Sequence, residues 1–370
     1  MSVTQPAPDT DPVQLLTPAG ERVEHPDFEF TGTDADIVDY LRDMVISRRI
    51  DAEATALQRQ GQLGLWASLL GQEAAQVGSG RAAKTQDHIF PTYREHAIAW
   101  CRGVDPVRLT SFYRGVDMGS WAGNAGNFHL YTVVIGAQAL HAVGYAMGIG
   151  TDRACATGND DTDEAVIGYF GDGASSQGDV NEAFIFAASY DAPIVFFCQN
   201  NQWAISEPTT RQTKIPLYQR AQGFGFPGLR VDGNDVLAVH AVTTRALDRA
   251  RRGEGPALVE AFTYRMGAHT TSDDPTKYRL AAELEKWKLR DPIERVRTYL
   301  LKAGAVDEQH LADLTVEADD IAADLRTRTL ALPDPTLDQA FDWTFAEKTV
   351  HLAQQQEQYA EYAASFEETE

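Results

Sequence analysis

Two short polar turns, each set directly behind an unbroken apolar run, constrain this chain more than any other feature of it. Ala165-Val-Ile-Gly-Tyr-Phe170 leads into Gly171-Asp172-Gly173, and Pro193-Ile-Val-Phe-Phe-Cys198 leads into Gln199-Asn200-Asn201. Runs of this length without polar alternation read as strands buried on both faces, as in a parallel sheet. Between them Val180, Ala183, Phe184, Ala187 and Ala188 fall on one face of a helix over 179–190. Strand, turn, helix and strand make one right-handed crossover, so both turns emerge at the carboxyl ends of neighbouring strands. Open α/β sheets bind their ligands there. The glycines let backbone approach a diphosphate closely, and the helix start behind them favours anionic oxygens. Asp172 and the side-chain oxygen of Asn201 are hard donors suited to Mg²⁺, which usually keeps phosphate oxygens in its shell. The main-chain carbonyl of Trp203 is the expected further ligand.

The rest of the chain arranges itself around that unit. Residues 1–33 read as a flexible, polar, Pro-containing arm, with a disordered leader as far as Gln14. Thr33 is a candidate N-cap for a helix from Asp34 to about Gln60, whose apolar positions are Ile37, Leu41, Met44, Val45 and Ile50. Residues 34–280 read as an α/β domain, a parallel sheet flanked by helices, with Pro256–Ala261 as a third buried strand. Residues 281–370 read as a helical extension that ends in an acidic tail, and 159–164 as a solvated surface loop. No apolar stretch approaches the roughly 18 residues of a membrane span. The N-terminus lacks the basic start and apolar core of a secretory signal. A net charge of −22 argues against nucleic acid or anionic membrane as partners. Three well-separated cysteines fit a cytoplasmic protein with incidental thiols.

The pair Gly171-Asp172-Gly173 and Asn200-Asn201, separated by residues 174–199, resembles the thiamine-diphosphate motif of the transketolase-like superfamily. Six further segments narrow the resemblance, in order: Gly71-Gln-Glu-Ala-Ala, Tyr93-Arg94-Glu95, Ile135-Gly136-Ala137-Gln138, Gln199 to Ser206, Arg230 to Asp235, and Tyr264-Arg-Met-Gly-Ala-His269. Together they resemble the alpha subunit of the decarboxylating component of branched-chain 2-oxo acid and pyruvate dehydrogenase complexes, from about Val13 to Gln355. The resemblance implies a thiamine-diphosphate-binding fold with thiamine diphosphate and Mg²⁺ as cofactors. It implies that Tyr93 and Arg94 bind the diphosphate, a task suited to a guanidinium. Gly171, Gly173, Ala174 and Gln199 would line the cofactor, and Asp172, Asn201 and Trp203 would hold the metal. Ile135 matches an apolar position that supports the bent cofactor, although plain core packing would explain it equally well. His269 matches a loop histidine that assists acyl transfer to lipoate and is the expected catalytic residue. His129 is a weaker pocket candidate, and His88, His96 and His141 read as structural. Val133 and Val134 replace the Ser-Pro of some relatives, which puts their monovalent-cation site in doubt. Thr270 stands where animal relatives carry a regulatory phosphoserine, so kinase control does not follow.

Thiamine chemistry needs a carboxylate on the aminopyrimidine ring, and no second complete domain follows Gly267 to supply one. The resemblance therefore implies a separate beta subunit, an α₂β₂ heterotetramer, and a lipoyl-bearing transacylase core as the acyl acceptor. The implied reaction is oxidative decarboxylation of a 2-oxo acid with reductive acylation of the lipoyl group. A branched-chain substrate of the 3-methyl-2-oxobutanoate type is expected, with pyruvate the alternative and an acetoin-cleaving relative more distant. A dinucleotide-dependent dehydrogenase is disfavoured because no Gly-x-Gly-x-x-Gly follows a strand. A non-catalytic scaffold is disfavoured by intact Arg94, Asp172, Asn201 and His269.

Overall fold

The computed structural model describes residues 11–117, 119, 125–342 and 344–367. Its centre is a five-stranded sheet: β1 (His88–Phe90), β2 (Val166–Gly171), β3 (Ile194–Asn200), β4 (Gly228–Asp232) and β5 (Ala257–Phe262). All pairings are parallel and the spatial order is β1-β2-β3-β5-β4. The three apolar runs are strands, each starting one residue later than its sequence limits and ending one residue later, or two in β3. Gly171 thereby ends β2 and Asn200 ends β3, while Gly171 pairs with Gln199 across the ladder. Both polar motifs consequently leave the sheet at one level and on one edge.

Side chains alternate between the two faces with period 2. Ile167, Tyr169, Val195, Phe197, Val259 and Ala261 face one core, while Val166, Phe170, Phe196, Cys198 and Leu258 face the other. The first core is covered by α1 (Asp34–Arg59), α2 (Glu73–Ala82) and, later in the chain, the helix Val236–Arg251. The second is covered by α3 (Ala137–Asp152) and α4 (Gly178–Ser189), with Val180, Ala183, Phe184 and Ala187 pointing inward and Ala188 half-buried. A 3₁₀ turn, Gly173–Ser176, separates the glycine motif from α4. We label Val236–Arg251 α5, followed by α6 (Pro292–Ala303) and α7 (Glu308–Leu330). α2 is buried almost throughout because it packs against α5 at Gly78, where a Cβ would lie 2.8 Å from the Val236 carbonyl. Among the described residues no helix is long and apolar enough to cross a membrane.

Two expectations are corrected. The arm is not flexible from residue 11 onward. Val13 bridges in parallel to Val231 on the sheet edge, and Leu15 and Leu16 are buried. Asp235 accepts hydrogen bonds from the amides of Leu15 (2.7 Å) and Leu16 (2.6 Å), and Arg295 donates to the Leu16 carbonyl. Residues 1–10 of the expected leader lie outside the described residues. The 159–164 segment is also not wholly solvated. Asp163 is buried and its carboxylate accepts from the Thr157 amide and hydroxyl, which folds the loop back on itself. The Thr33 cap is present as a reciprocal capping box with Asp36, and α1 buries Ile37, Leu41, Met44 and Ile50.

Candidate active site

One cavity of about 850 Å³, mouth included, opens at the carboxyl ends of β2 and β3. Its lining contains every residue expected to bind cofactor or metal or to act in catalysis, though not the weaker candidate His129: Tyr93, Arg94, Ile135, Gly171, Asp172, Gly173, Ala174, Gln199, Asn201, Trp203 and His269. A side chain at Gly171 would meet no protein atom within 4 Å, so glycine there leaves the wall flat. A Cβ at Gly173 would lie 2.7 Å from that of Ala204, so this turn closes only around glycine. Ile135 is 42% exposed and lines the cavity, which decides against plain core packing. His88, His96 and His129 lie elsewhere. His88 bonds His129, His129 stacks on Phe90, and His96 is clamped between Tyr131 and the Ala67 carbonyl.

The charge arrangement of the cavity is unusual for a protein interior. Arg94 is 5% exposed and Arg265 0% exposed, yet neither forms an ion pair with a carboxylate among the described residues. Arg94 Nη1 donates to the Ser68 carbonyl, and its Nη2 donates to the His269 carbonyl at 2.9 Å. Arg265 donates to the carbonyls of Trp203 and Ile205, both at 2.8 Å. Burial, then the neighbouring Arg94, pulls the Arg265 guanidinium down to about 10. Across the cavity Asp172 is 1% exposed. It accepts from Thr209 Oγ1 (2.8 Å) and Gln212 Nε2 (3.3 Å) but has no cationic partner in contact among the described residues. Burial holds its carboxyl above the ordinary range.

His269 lies between the two guanidiniums. Nη2 of Arg94 and Nη1 of Arg265 approach its Nδ1 at 3.3 and 3.2 Å. Arginine can only donate, so Nδ1 must accept and the imidazole proton sits on Nε2. Burial, then Arg94 and Arg265, lowers the imidazole to about 3, which keeps it neutral near pH 7. Asp273 anchors the loop by accepting from the His269 amide (2.9 Å) and from the Tyr278 hydroxyl.

Several lining residues were missed by sequence. Glu95 is fully buried; it accepts from Thr92 and Gln199, and Gln76 ties Gln199 back to the Arg94 carbonyl. That network fixes the Tyr93-Arg94-Glu95 turn to the end of β3. Gln72 Nε2 and Gln138 Oε1 line the cavity without a hydrogen-bond partner. Among the described residues no three His, Cys, Asp or Glu side chains gather as a metal site. One carboxylate and one amide would rely on a ligand's own oxygens to complete a cation's shell.

The profile of the dehydrogenase E1 component family matches residues 41–332. The chain belongs to that family. Membership in the E1 family implies thiamine diphosphate as cofactor and a beta subunit as partner. This E1 chain is 43% identical over 356 residues to the 3-methyl-2-oxobutanoate dehydrogenase subunit alpha of Mycobacterium tuberculosis, covering 95% of this chain and 94% of that one. It is 37% identical over 324 residues to the pyruvate dehydrogenase E1 component subunit alpha of Acholeplasma laidlawii, covering 86% and 91%. The subunit of the same name from Staphylococcus aureus is 40% identical over 302 residues, covering 80% and 78%.

Proposed function

We propose that this E1 chain anchors the diphosphate of thiamine diphosphate and its Mg²⁺ for oxidative decarboxylation of a branched-chain 2-oxo acid. The carrying observation is the charge pattern at the cavity: Arg94 in its wall and Arg265 beside His269 have no carboxylate in ion-pair contact among the described residues, and Asp172, of opposite sign, has no cation in contact. A diphosphate with one Mg²⁺ supplies both missing signs. Buried charges left uncompensated are costly, so a protein that keeps them does so for a ligand. Arg94 would bind phosphate oxygens, with Tyr93 beside it, while Gly171, Gly173, Ala174 and Gln199 shape the floor. Asp172 and Asn201 would hold the metal. The Trp203 carbonyl accepts one hydrogen bond from Arg265 and would have its second lone pair for the metal. Gln72 and Gln138 offer the spare donor and acceptor noted above.

When bound, thiamine diphosphate supplies the electron sink that lets a 2-oxo acid lose CO₂. The residues of this chain bind, orient and exclude water around that event. His269 holds its proton at Nε2 and would offer a hydrogen bond from it, without giving the proton up, during acyl transfer to a lipoyl group. A beta subunit would supply the activating carboxylate in an α₂β₂ enzyme, and a lipoyl-bearing transacylase would accept the acyl group. The branched-chain assignment follows the mycobacterial relative, whose match covers more of this chain than those of the pyruvate-named relatives. The test is the rate of CO₂ release by the chain coexpressed with its beta subunit. Turnover of 3-methyl-2-oxobutanoate at least tenfold above pyruvate, in kcat/KM, is expected. The reverse ranking assigns the chain to pyruvate, and no release with either overturns the reading.

A further inference from the structure

Asp51 belongs to none of the motifs and lines no part of the cavity. It projects from α1 and is buried, with no lysine or arginine in ion-pair contact among the described residues. Its carboxylate is encircled by donors instead. Oδ1 accepts from Trp66 Nε1 at 2.8 Å and the Leu69 amide at 3.0 Å, and Oδ2 accepts from Ser68 Oγ at 2.6 Å. Burial raises the carboxyl to about 6, against the pull of those donors. A group this costly to bury must hold something that weaker groups would not.

What it holds is the strip 66–70, which has no regular secondary structure of its own. Four of its five residues hold neighbouring segments through main-chain hydrogen bonds. The Ser68 carbonyl accepts from Arg94 Nη1. The Trp66 amide donates to Thr271 Oγ1 (3.1 Å) and the Trp66 carbonyl accepts from the Thr271 amide (3.0 Å), two residues beyond His269. The Leu70 carbonyl accepts from the Met266 amide (3.0 Å), and the Ala67 carbonyl receives His96 Nε2 (2.9 Å). Both site residues on the cationic wall are therefore tied to one strip, and that strip to one carboxylate.

We propose that Asp51 is a positioning residue: through the strip 66–70 it sets the Arg94 guanidinium and the His269 loop at the distance a bound diphosphate requires. The inference rests on the cofactor reading above. Asp51 touches no ligand itself. It acts because a guanidinium on a flexible stem binds phosphate well only when its planar fork is fixed beforehand.

The test uses the αβ enzyme and calorimetric titration with thiamine diphosphate in the presence of Mg²⁺, which reads binding without turnover. Asp51→Ala is expected to weaken binding about tenfold, the scale of one misplaced charge-assisted hydrogen bond. Asp51→Asn keeps an oxygen for Trp66 Nε1 and the Leu69 amide, and Ser68 Oγ can turn to accept from its amide. It should recover affinity to within about threefold of wild type. In an Arg94→Ala background the effect of Asp51→Ala should shrink to less than half, because the two act through one contact. A merely structural aspartate would give losses that multiply in full. That outcome, or wild-type affinity in a folded Asp51→Ala enzyme, overturns the proposal. If Asp51→Ala does not fold, Trp66→Phe decides: it deletes one donor, should weaken binding about threefold, and with unchanged affinity defeats the idea. Wild-type enzyme that fails to bind thiamine diphosphate at all defeats the cofactor reading instead.

Discussion

Buried arginine is treated in opposite ways at the amino ends of β1 and β2 and around the cavity at the carboxyl ends of β2 and β3. At the amino end, Arg251 closes α5 against the entry to β1 and β2. It pairs with Asp87, and with Asp248 at 2.8 Å, while Asp87 also accepts from the amides of Ala165 and Lys84. Every charge there has its counter-charge, and the result is a closed structural joint. At the carboxyl end, Arg94 and Arg265 are buried as deeply but meet carbonyls, a hydroxyl, an imidazole and the Tyr93 ring, and no carboxylate in ion-pair contact among the described residues. Their compensation is left to something outside the chain. Burial alone therefore does not mark a functional arginine in this fold; burial without a carboxylate does.

The largest expected effect falls on Asp172. Asp172→Asn removes the carboxylate proposed to hold Mg²⁺, and turnover should drop about a thousandfold, the several kcal/mol that a phosphate-bound metal contributes. The same change should leave the melting temperature equal or higher. A carboxyl raised above its unfolded value destabilises the fold at neutral pH, so its removal relieves that cost. A clear fall in melting temperature would show that Asp172 is part of the scaffold and erase the contrast between the two ends.

Next come the arginines as a pair. Arg94→Ala should weaken thiamine diphosphate binding about a hundredfold with little change in melting temperature. Arg251→Ala leaves Asp87 buried and unpaired, which should cost about 3–5 kcal/mol of stability while the remaining folded enzyme binds cofactor normally. Melting curves and calorimetry on both variants measure this double dissociation. Equal loss of stability in the two would mean that the ends do not differ in kind.

How much of this was legible in the chain depends on whether the signal was local. β2, β3 and β5 were readable because strands buried on both faces leave unbroken apolar runs, and the turns behind them carry their own chemistry. Eleven expected site residues could be named because each lies in or next to a short motif, and the fold gathers them around one cavity. Arg265 sat inside a quoted segment, four residues before His269, yet its meaning depends on the absence of a carboxylate around it, which only the fold reveals. The arm reads as flexible from its polar composition, Val13 to Leu16 included. What orders it is Asp235, a residue more than two hundred positions away. Asp163 misled for the same reason in reverse: an acid in an acidic loop, turned inward by Thr157. Ile135 could not be assigned from sequence, since a cavity wall and a core both favour isoleucine.

The smallest expected effect is the sharpest on the arginines themselves. Two donors aimed at Nδ1 and a buried ring keep His269 neutral, lowered to about 3. Between pH 3 and 6.5 the unfolded chain takes up a proton that the folded ring refuses, so this residue makes stability fall as pH falls through that window. Between pH 6 and 8 nothing titrates at His269, and the rate profile should carry no limb from it. NMR titration of the histidine ring signals, assigned with His269→Gln, should find no transition for this residue above pH 5. Arg265→Met deletes one donor and one positive charge while burial, the largest cause, remains. The imidazole should then move part of the way towards 6.5 without reaching it. His96 is the internal control, because it too is lowered to about 3, by burial foremost and with Arg94 as its only charged neighbour of note. Arg265→Met must leave His96 where it is. A shift in both rings would mean that the substitution loosened the protein around them, and a shift in neither would remove Arg265 from the cause. Movement of His269 alone is what a wall of uncompensated guanidinium charge requires.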